Sequence, residues 1–235
     1  MLNFVLVAGA RLGAWAWADV TPALRAAGHA VHPLTLSGLA EKRDVPAGQR
    51  THVEDVVAEV ERHDLRRVVL VGHSYAGVPV GQAAQRIGDR LDRLVLVDAA
   101  VPVDGRSFAD GWPDGGTTLR AALAANGGSW PCARPEHFAG HGLTAEQTAR
   151  IVAGATPHPG ATLTEPATLT GPLTTLPTTY VKCLLAGEEP DEDAADLLTA
   201  APWQLAELDT GHWPMFSRPA DLAHLLLTAA APAAQ

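Results

Sequence analysis

Six short runs dominated by Val and Leu recur along the chain: FVLVAG from Phe4, AVHPLTL from Ala30, RVVLVG from Arg67, RLVLVD from Arg93, TYVKCLLAG from Thr179 and WQLAELD from Trp203. They are nearly continuous in apolar residues rather than alternating with polar ones, the pattern of strands covered on both faces. Between most of them lie segments with a helical period. In THVEDVVAEVERHD, Thr51 and Glu54 have the form of a capping box, and Val53, Val56, Val57 and Val60 recur at helical spacing. The stretch from Trp15 to Ala27 reads as a second helix closed by Gly28, and Pro219 to Thr228 as a last one. Strands alternating with helices predict βαβ units, hence an α/β fold with a mostly parallel central sheet and helices on both faces.

Residues 101–177 break the alternation. They are rich in Gly, Pro and Thr, hold no convincing strand, and include one capped helix, TAEQTARIVAG, with Thr144 and Gln147 as its box. This segment is expected to be a cap inserted over the C-terminal edge of the sheet, where open α/β sheets bind ligands. The expected core is then 1–100 together with 178–235.

With 235 residues and 47% hydrophobic positions, the chain can bury a deep core in a single domain carrying an insertion. A net charge of −9 argues against a nucleic-acid partner, which selects for a basic surface. Cys132 and Cys183 are the two cysteines, too far apart in the chain for a ligand motif, so neither a metal nor a disulfide framework is expected. The start, MLNFVLVAGARLG, lacks a basic segment followed by roughly 7–15 apolar residues, and no run approaches the roughly 18 of a membrane span. A soluble cytoplasmic protein is the expectation, with no membrane partner; a homodimer is allowed.

Chemistry enters at VLVGHSYAGVPV, where a strand leads into Gly72-His73-Ser74-Tyr75-Ala76-Gly77 and a helix follows. A serine hydroxyl is a poor nucleophile until a base takes its proton and fixed donors hold the oxyanion. A sharp strand-to-helix turn meets both needs: it lifts the hydroxyl above the sheet and aims the next backbone N–H, that of Tyr75, at the developing charge. Ala76 stands where the G-x-S-x-G pattern has its last glycine. The bland alternative is a plain βα turn with a surface serine. The partner histidine must follow the last strand, and LDTGHWPMFSRP places His212 there. The other histidines have ordinary explanations: His29, His32, His52 and His63 at helix ends or strand starts, His137, His141 and His158 on the cap.

FVLVAGARLGAWAWADVTPALRAAGHAV, VVLVGHSYAG, LVLVDAAVPVDGRS, TPHPGATLTEP and GHWPMFSRP together resemble the α/β-hydrolase superfamily, specifically its plant-type methylesterase and hydroxynitrile lyase branch with bacterial relatives. The resemblance runs nearly end to end. It implies the α/β-hydrolase fold, a small-molecule substrate, no cofactor, and the backbone N–H of Ala10 as second oxyanion donor beside Tyr75. Trp112, Trp130 and Trp213 become substrate-binding candidates, each of which could equally be a packing aromatic.

The departures from that branch bear on activity. Ala8 replaces its opening histidine, and Leu12 stands where a second histidine commonly faces the substrate. The branch reads C-T-x-D after the penultimate strand; aligned on Cys183, the aspartate position holds Ala186. Replacement carboxylates lie close by in AGEEPDEDAAD. Glu188 is nearest, Asp191 next, although such a run is equally a solvated loop before a helix N-terminus. Asp98, at the end of LVLVD, is a third candidate, because other hydrolases place the acid there. Lyases of the branch carry a threonine and a lysine where this chain has Gly9 and Trp213, which favours ester chemistry. The expected function is a carboxylesterase-like serine hydrolase acting on a small ester. The alternatives are a non-hydrolytic cyclase, dehydratase or decarboxylase using His212 as general acid or base, and a binder without turnover.

Overall fold

A computed structural model describes residues 1–187 and 189–231. Its strands are β1 (Asn3–Val7), β2 (Ala30–Leu34), β3 (Val68–His73), β4 (Leu91–Val97), β5 (Ser129–Trp130), β6 (His158–Pro159), β7 (Thr178–Cys183) and β8 (Trp203–Leu208). The α-helices are α1 (Thr21–Ala26), α2 (Gln49–Arg62), α3 (Gly77–Ile87), α4 (Thr117–Ala125), α5 (Ala145–Gly154), α6 (Gly160–Thr164), α7 (Glu192–Leu197), α8 (Pro214–Ser217) and α9 (Pro219–Ala229). The six apolar runs form one sheet in the order β2-β1-β3-β4-β7-β8, every neighbouring pair parallel.

Because successive side chains of a strand face opposite ways, each run feeds two cores. Val5, Val7, Leu70, Leu94 and Leu96 pack with the valines of α2 and with Val80, Ala83 and Ala84 of α3. Phe4, Leu6, Val69, Val71, Val95 and Val97 pack on the other side with Leu24 of α1 and Leu222 and Leu226 of α9. The nearly unbroken apolar runs of β1, β3 and β4 are the consequence of that double burial; β8, at the sheet edge, is largely exposed.

Three local expectations change. The stretch from Trp15 to Ala27 is not one helix but a 3₁₀ turn, Ala14–Trp17, followed by α1. α2 begins at Gln49, two residues before Thr51, so Thr51 is inside the first turn and its Oγ1 accepts from the Gly48 N–H at 3.2 Å. Glu54 instead makes a two-pronged pair with Arg86 of α3. In 101–177, a short antiparallel ribbon, β5 with β6, forms where no strand is expected; the segment adds nothing to the central sheet. Its α5 carries the box read from the sequence, Gln147 N donating to Thr144 Oγ1 at 3.1 Å and Thr144 N to Gln147 Oε1 at 2.8 Å. Among the described residues no helix is long and apolar enough to cross a membrane.

The topology prepares the site. From β1 the chain moves out to β2 and then returns across β1 to β3, so the loops leaving β1 and β3 diverge and open a crevice at their C-terminal ends. Register completes it: Val7 lies beside Gly72, His73 beside Val97, and Val97 beside Val181. The residues just beyond these positions are brought together.

Candidate active site

Ser74 follows β3 with φ +55°, a left-handed backbone for a non-glycine residue, and a single 3₁₀ turn then runs into α3. Such a bend needs small neighbours. A Cβ on Gly72 would strike Val80, and one on Gly77 would collide with the carbonyl oxygen of Ala100. Ala76 is fully buried and its methyl is accommodated; the tight approach falls at Gly77 instead. The loop after β4 grips the bend through the Ala100 N–H, which donates to Ser74 O at 3.1 Å.

His212 reaches this point from the loop after β8. Its Nε2 is 2.8 Å from Ser74 Oγ, and its Nδ1 is 2.6 Å from Asp98 Oδ2. A carboxylate accepts only, so Nδ1–H donates to Asp98 and Nε2 is left to accept the serine proton. Asp98 sits one residue past β4 with φ +44°, and its other oxygen accepts from Lys182 Nζ at 3.0 Å and from the Cys183 N–H at 3.3 Å. Burial pushes the Asp98 carboxyl up, but the hydrogen bonds and charges of His212 and Lys182 outweigh it and hold the group at about 2.

The carboxylate facing His212 is therefore that of Asp98. Glu188 lies outside the described residues, and Asp191 lines the nearby cavity without bonding His212. The physical reason is adjacency. β4 and β7 are hydrogen-bonded neighbours, so a carboxylate at the end of either can reach the same imidazole. Here β7 supplies the groups that hold the acid, Lys182 and the Cys183 amide, rather than the acid itself.

A second histidine, whose role the sequence does not announce, ties the loops together. His73 is fully buried; its Nδ1 accepts from the Gly9 N–H at 3.2 Å and its Nε2–H donates to the His212 carbonyl at 2.6 Å. Burial first, then the nearby His212, pushes its pKa down to about 3, so it stays neutral with one nitrogen accepting and one donating. Gly9 must be bare, since a Cβ there would lie 2.8 Å from both His73 Nδ1 and Ser74 Cβ.

The loop after β1 is a turn closed by Leu12 N–H to Gly9 O at 3.2 Å, with Arg11 at φ +71°. Ala10, on this turn, lines the cavity beside Ser74. The Arg11 N–H donates to His158 Nδ1 at 3.0 Å; His158 Nε2–H then donates to Thr162 Oγ1 at 2.8 Å. The Tyr75 hydroxyl bonds His52 Nδ1 at 2.8 Å, and His52 Nε2–H donates to Ser37 O. Both His52 and His158 are completely buried, and burial pushes their pKa values down. His158, in the 101–177 segment, and His52, in the first turn of α2, are thus the interior props of the Ala10 and Tyr75 loops. The period of α2 offered one hint, since His52 directly precedes Val53 on its buried face.

A cavity of about 660 Å³ opens over these groups. Trp112, Trp130 and Trp213 all line it, with Phe108, Val78 and Ala133. Leu12 does not. Its side chain is 3% exposed and packs in the core with Phe4 and Leu6, and Arg11 is the member of that turn which faces the cavity. A tight turn sends successive side chains in different directions, which alignment by position could not resolve. Among the described residues no three His, Cys, Asp or Glu side chains are grouped to hold a metal ion.

The pattern of the family described as "Alpha/beta hydrolase family" matches residues 4–225. A carbendazim hydrolyzing esterase from Nocardioides sp. (strain SG-4G) is 40% identical over 111 residues, 46% of each chain. The polyneuridine aldehyde esterase of Rauvolfia serpentina is 35% identical over 112 residues, 45% of this chain and 42% of that one. The chain thus spans under half the length of the curated relatives it matches. Among solved structures, an extracellular alpha/beta-hydrolase from a Paenibacillus species superposes with a TM-score of 0.86 at 23% identity, covering 97% of this chain and 99% of that one. A methylesterase from Arabidopsis gives 0.73 at 23% identity, over 97% and 98%.

Proposed function

The chain belongs to the alpha/beta hydrolase family, and from that premise we propose that it is a serine carboxylesterase acting on a small ester. The observation that carries the reading is the unbroken relay from Ser74 Oγ through His212 to Asp98, at 2.8 and 2.6 Å, open to a largely apolar cavity. The names of its relatives, a carbendazim hydrolyzing esterase and plant esterases, support the same class.

In this reading Ser74 Oγ attacks the ester carbonyl carbon while His212 Nε2 takes the hydroxyl proton. Asp98 stabilises the imidazolium and keeps its Nδ1–H pointed inward. The Ala10 and Tyr75 amides donate to the tetrahedral oxyanion, at positions already held by His73, His158 and His52. The C–O bond to the alcohol breaks, and the alcohol leaves with the proton from His212. Water, deprotonated by the same Nε2, then attacks the acyl-serine; the acyl C–Oγ bond breaks as His212 returns the proton to Ser74 Oγ, so that one water is consumed and one acid and one alcohol are released. Residues 101–177 serve as the cap, since Trp112, Trp130 and Ala133 bring its apolar surface to the cavity wall.

A non-hydrolytic reaction on this scaffold would be favoured by a drier, untuned site. That case loses weight here, because Leu12 is in the core and Asp98 occupies the place opposite His212. Treatment with a fluorophosphonate tests the proposal. Stoichiometric labelling of Ser74, lost in Ser74→Ala and slowed at least ~100-fold in His212→Ala, is expected. An unlabelled serine in folded protein, with no turnover of p-nitrophenyl acetate or butyrate, overturns it.

A further inference from the structure

Two guanidinium groups reach the cavity, and they differ. Arg106 is neutralised there by Asp193, with contacts of 3.0 and 3.2 Å. Arg11 has no carboxylate within ion-pair distance and no side-chain hydrogen bond among the described residues, and its Nε is buried without a partner. A partly desolvated cation without a counterion is unfavourable, and native interiors pair such groups.

Arg11 is nevertheless held in a fixed place. Its guanidinium carbon lies 3.5 Å from the ring centre of Trp130, a cation–π contact that leaves its N–H groups without a hydrogen-bond partner among the described residues. Its backbone N–H is bonded to His158, and its carbonyl accepts from the Thr156 N–H at 3.0 Å. Trp130 and His158 are themselves cross-strand partners in the β5–β6 ribbon. One ribbon therefore grips both the backbone and the side chain of Arg11, one residue from Ala10 at the mouth of the proposed oxyanion site. Burial lowers the Arg11 pKa only to about 10, which leaves it charged at neutral pH.

We propose that Arg11, laid on Trp130 at the cavity wall, receives a carboxylate carried by the substrate itself, so that the preferred ester is a half-ester of a dicarboxylic acid. Planar guanidinium and carboxylate pair through two parallel N–H···O bonds, a geometry open to an arginine whose N–H groups have no other partner. Of the other cavity carboxylates, Asp98 is engaged by Lys182 and His212 and Asp193 by Arg106, while Asp191 lines the wall beyond ion-pair distance of Arg11; the apolar walls between suit the methylene spacer. The inference rests on the esterase reading and names its substrate class.

The test compares kcat/KM for monoethyl glutarate and monoethyl adipate with that for ethyl pentanoate and ethyl hexanoate, using the full chain. Wild type is expected to prefer the half-esters, and Arg11→Gln to reduce that preference about 10- to 100-fold, chiefly through KM, with Arg11→Lys in between. Glutarate or adipate should also slow fluorophosphonate labelling of Ser74 in wild type and not in Arg11→Gln. A wild-type enzyme that hydrolyses neutral esters as well as half-esters overturns this inference alone. So does an unchanged preference in Arg11→Gln, which would make the arginine merely structural. Absence of labelling and of all ester turnover overturns the esterase reading as well.

Discussion

Asp98 Oδ2 and His212 Nδ1 are 2.6 Å apart across 114 positions of sequence, and the same carboxylate is bound on its far side by Lys182 and the Cys183 amide of the neighbouring strand. The acid is thus clamped from both sides. One oxygen orients the imidazole while the other is fixed by two donors that cannot act as acceptors.

That clamp makes a sharp prediction for Asp98→Asn. Lys182 and the Cys183 N–H can be satisfied only by the amide oxygen, which turns the NH₂ toward His212 and forces its Nδ1 to accept. Nε2 then carries the proton and cannot take one from Ser74. A fall in kcat of roughly 10³–10⁴ with little change in KM is expected, as for the corresponding change in a serine protease. Asp191→Asn should stay within a few-fold. Steady-state kinetics on a p-nitrophenyl ester decides it, and an Asp98→Asn enzyme within tenfold of wild type would assign the orienting role elsewhere.

Gly77→Ala tests the packing beneath the bend. The added methyl would run into the Ala100 carbonyl, whose own N–H holds Ser74 O. Overpacking of this kind costs about 1–3 kcal/mol, or several degrees in Tm for a chain of this size. Activity should fall with it, because the displaced loop carries Asp98 on its other side. Thermal unfolding and kinetics of the same preparation give both readouts.

Leu12→Ala should separate core from cavity. Leu12 is buried against Phe4 and Leu6, so its truncation is expected to destabilise by about 2–5 kcal/mol. KM for a small neutral ester should change less than about threefold, because the side chain does not reach the cavity. A large KM effect without loss of stability would return Leu12 to the substrate wall.

Acid should destabilise the fold from just below neutrality. His52, His73 and His158 are buried and neutral, each with its pKa lowered by burial. Below the ordinary value of about 6.5 the unfolded chain takes up these protons and the folded chain does not, so stability falls as pH falls. For His73 the loss continues down to its folded pKa of about 3. His73 by itself gives a slope approaching about 1.4 kcal/mol per pH unit, and His52 and His158 add to it in the same direction. Asp98 acts in the same direction at lower pH, its stabilisation being lost as pH falls from about 3.8 toward its folded pKa of about 2. Urea unfolding between pH 5 and 6.5 should show this slope, and His73→Gln should reduce it by about one proton. A flat profile would mean that these imidazoles are protonated in the folded state.

The sequence by itself determined the sheet and the two ends of the relay. Six nearly continuous apolar runs are stable as strands covered on both faces, and all six are strands of one parallel sheet, the last, β8, being a partly exposed edge. Ser74 and His212 were legible because each sits at a point the local chain announces: a glycine-flanked strand-to-helix turn, and a loop after the last strand. Local chemistry, backbone conformation and chain order carry that information, and all three are written along the sequence.

What faces what across the sheet was decided only by the tertiary structure. Which carboxylate meets His212 depends on β4 and β7 being neighbours, a pairing between segments about 80 residues apart. His52, His73 and His158 look ordinary in sequence because their partners, Tyr75, Gly9 and Arg11, are distant in the chain. Leu12, expected toward the substrate, lies in the core while Arg11 lines the cavity, because one left-handed turn, not the order of residues, chooses which side chain enters which.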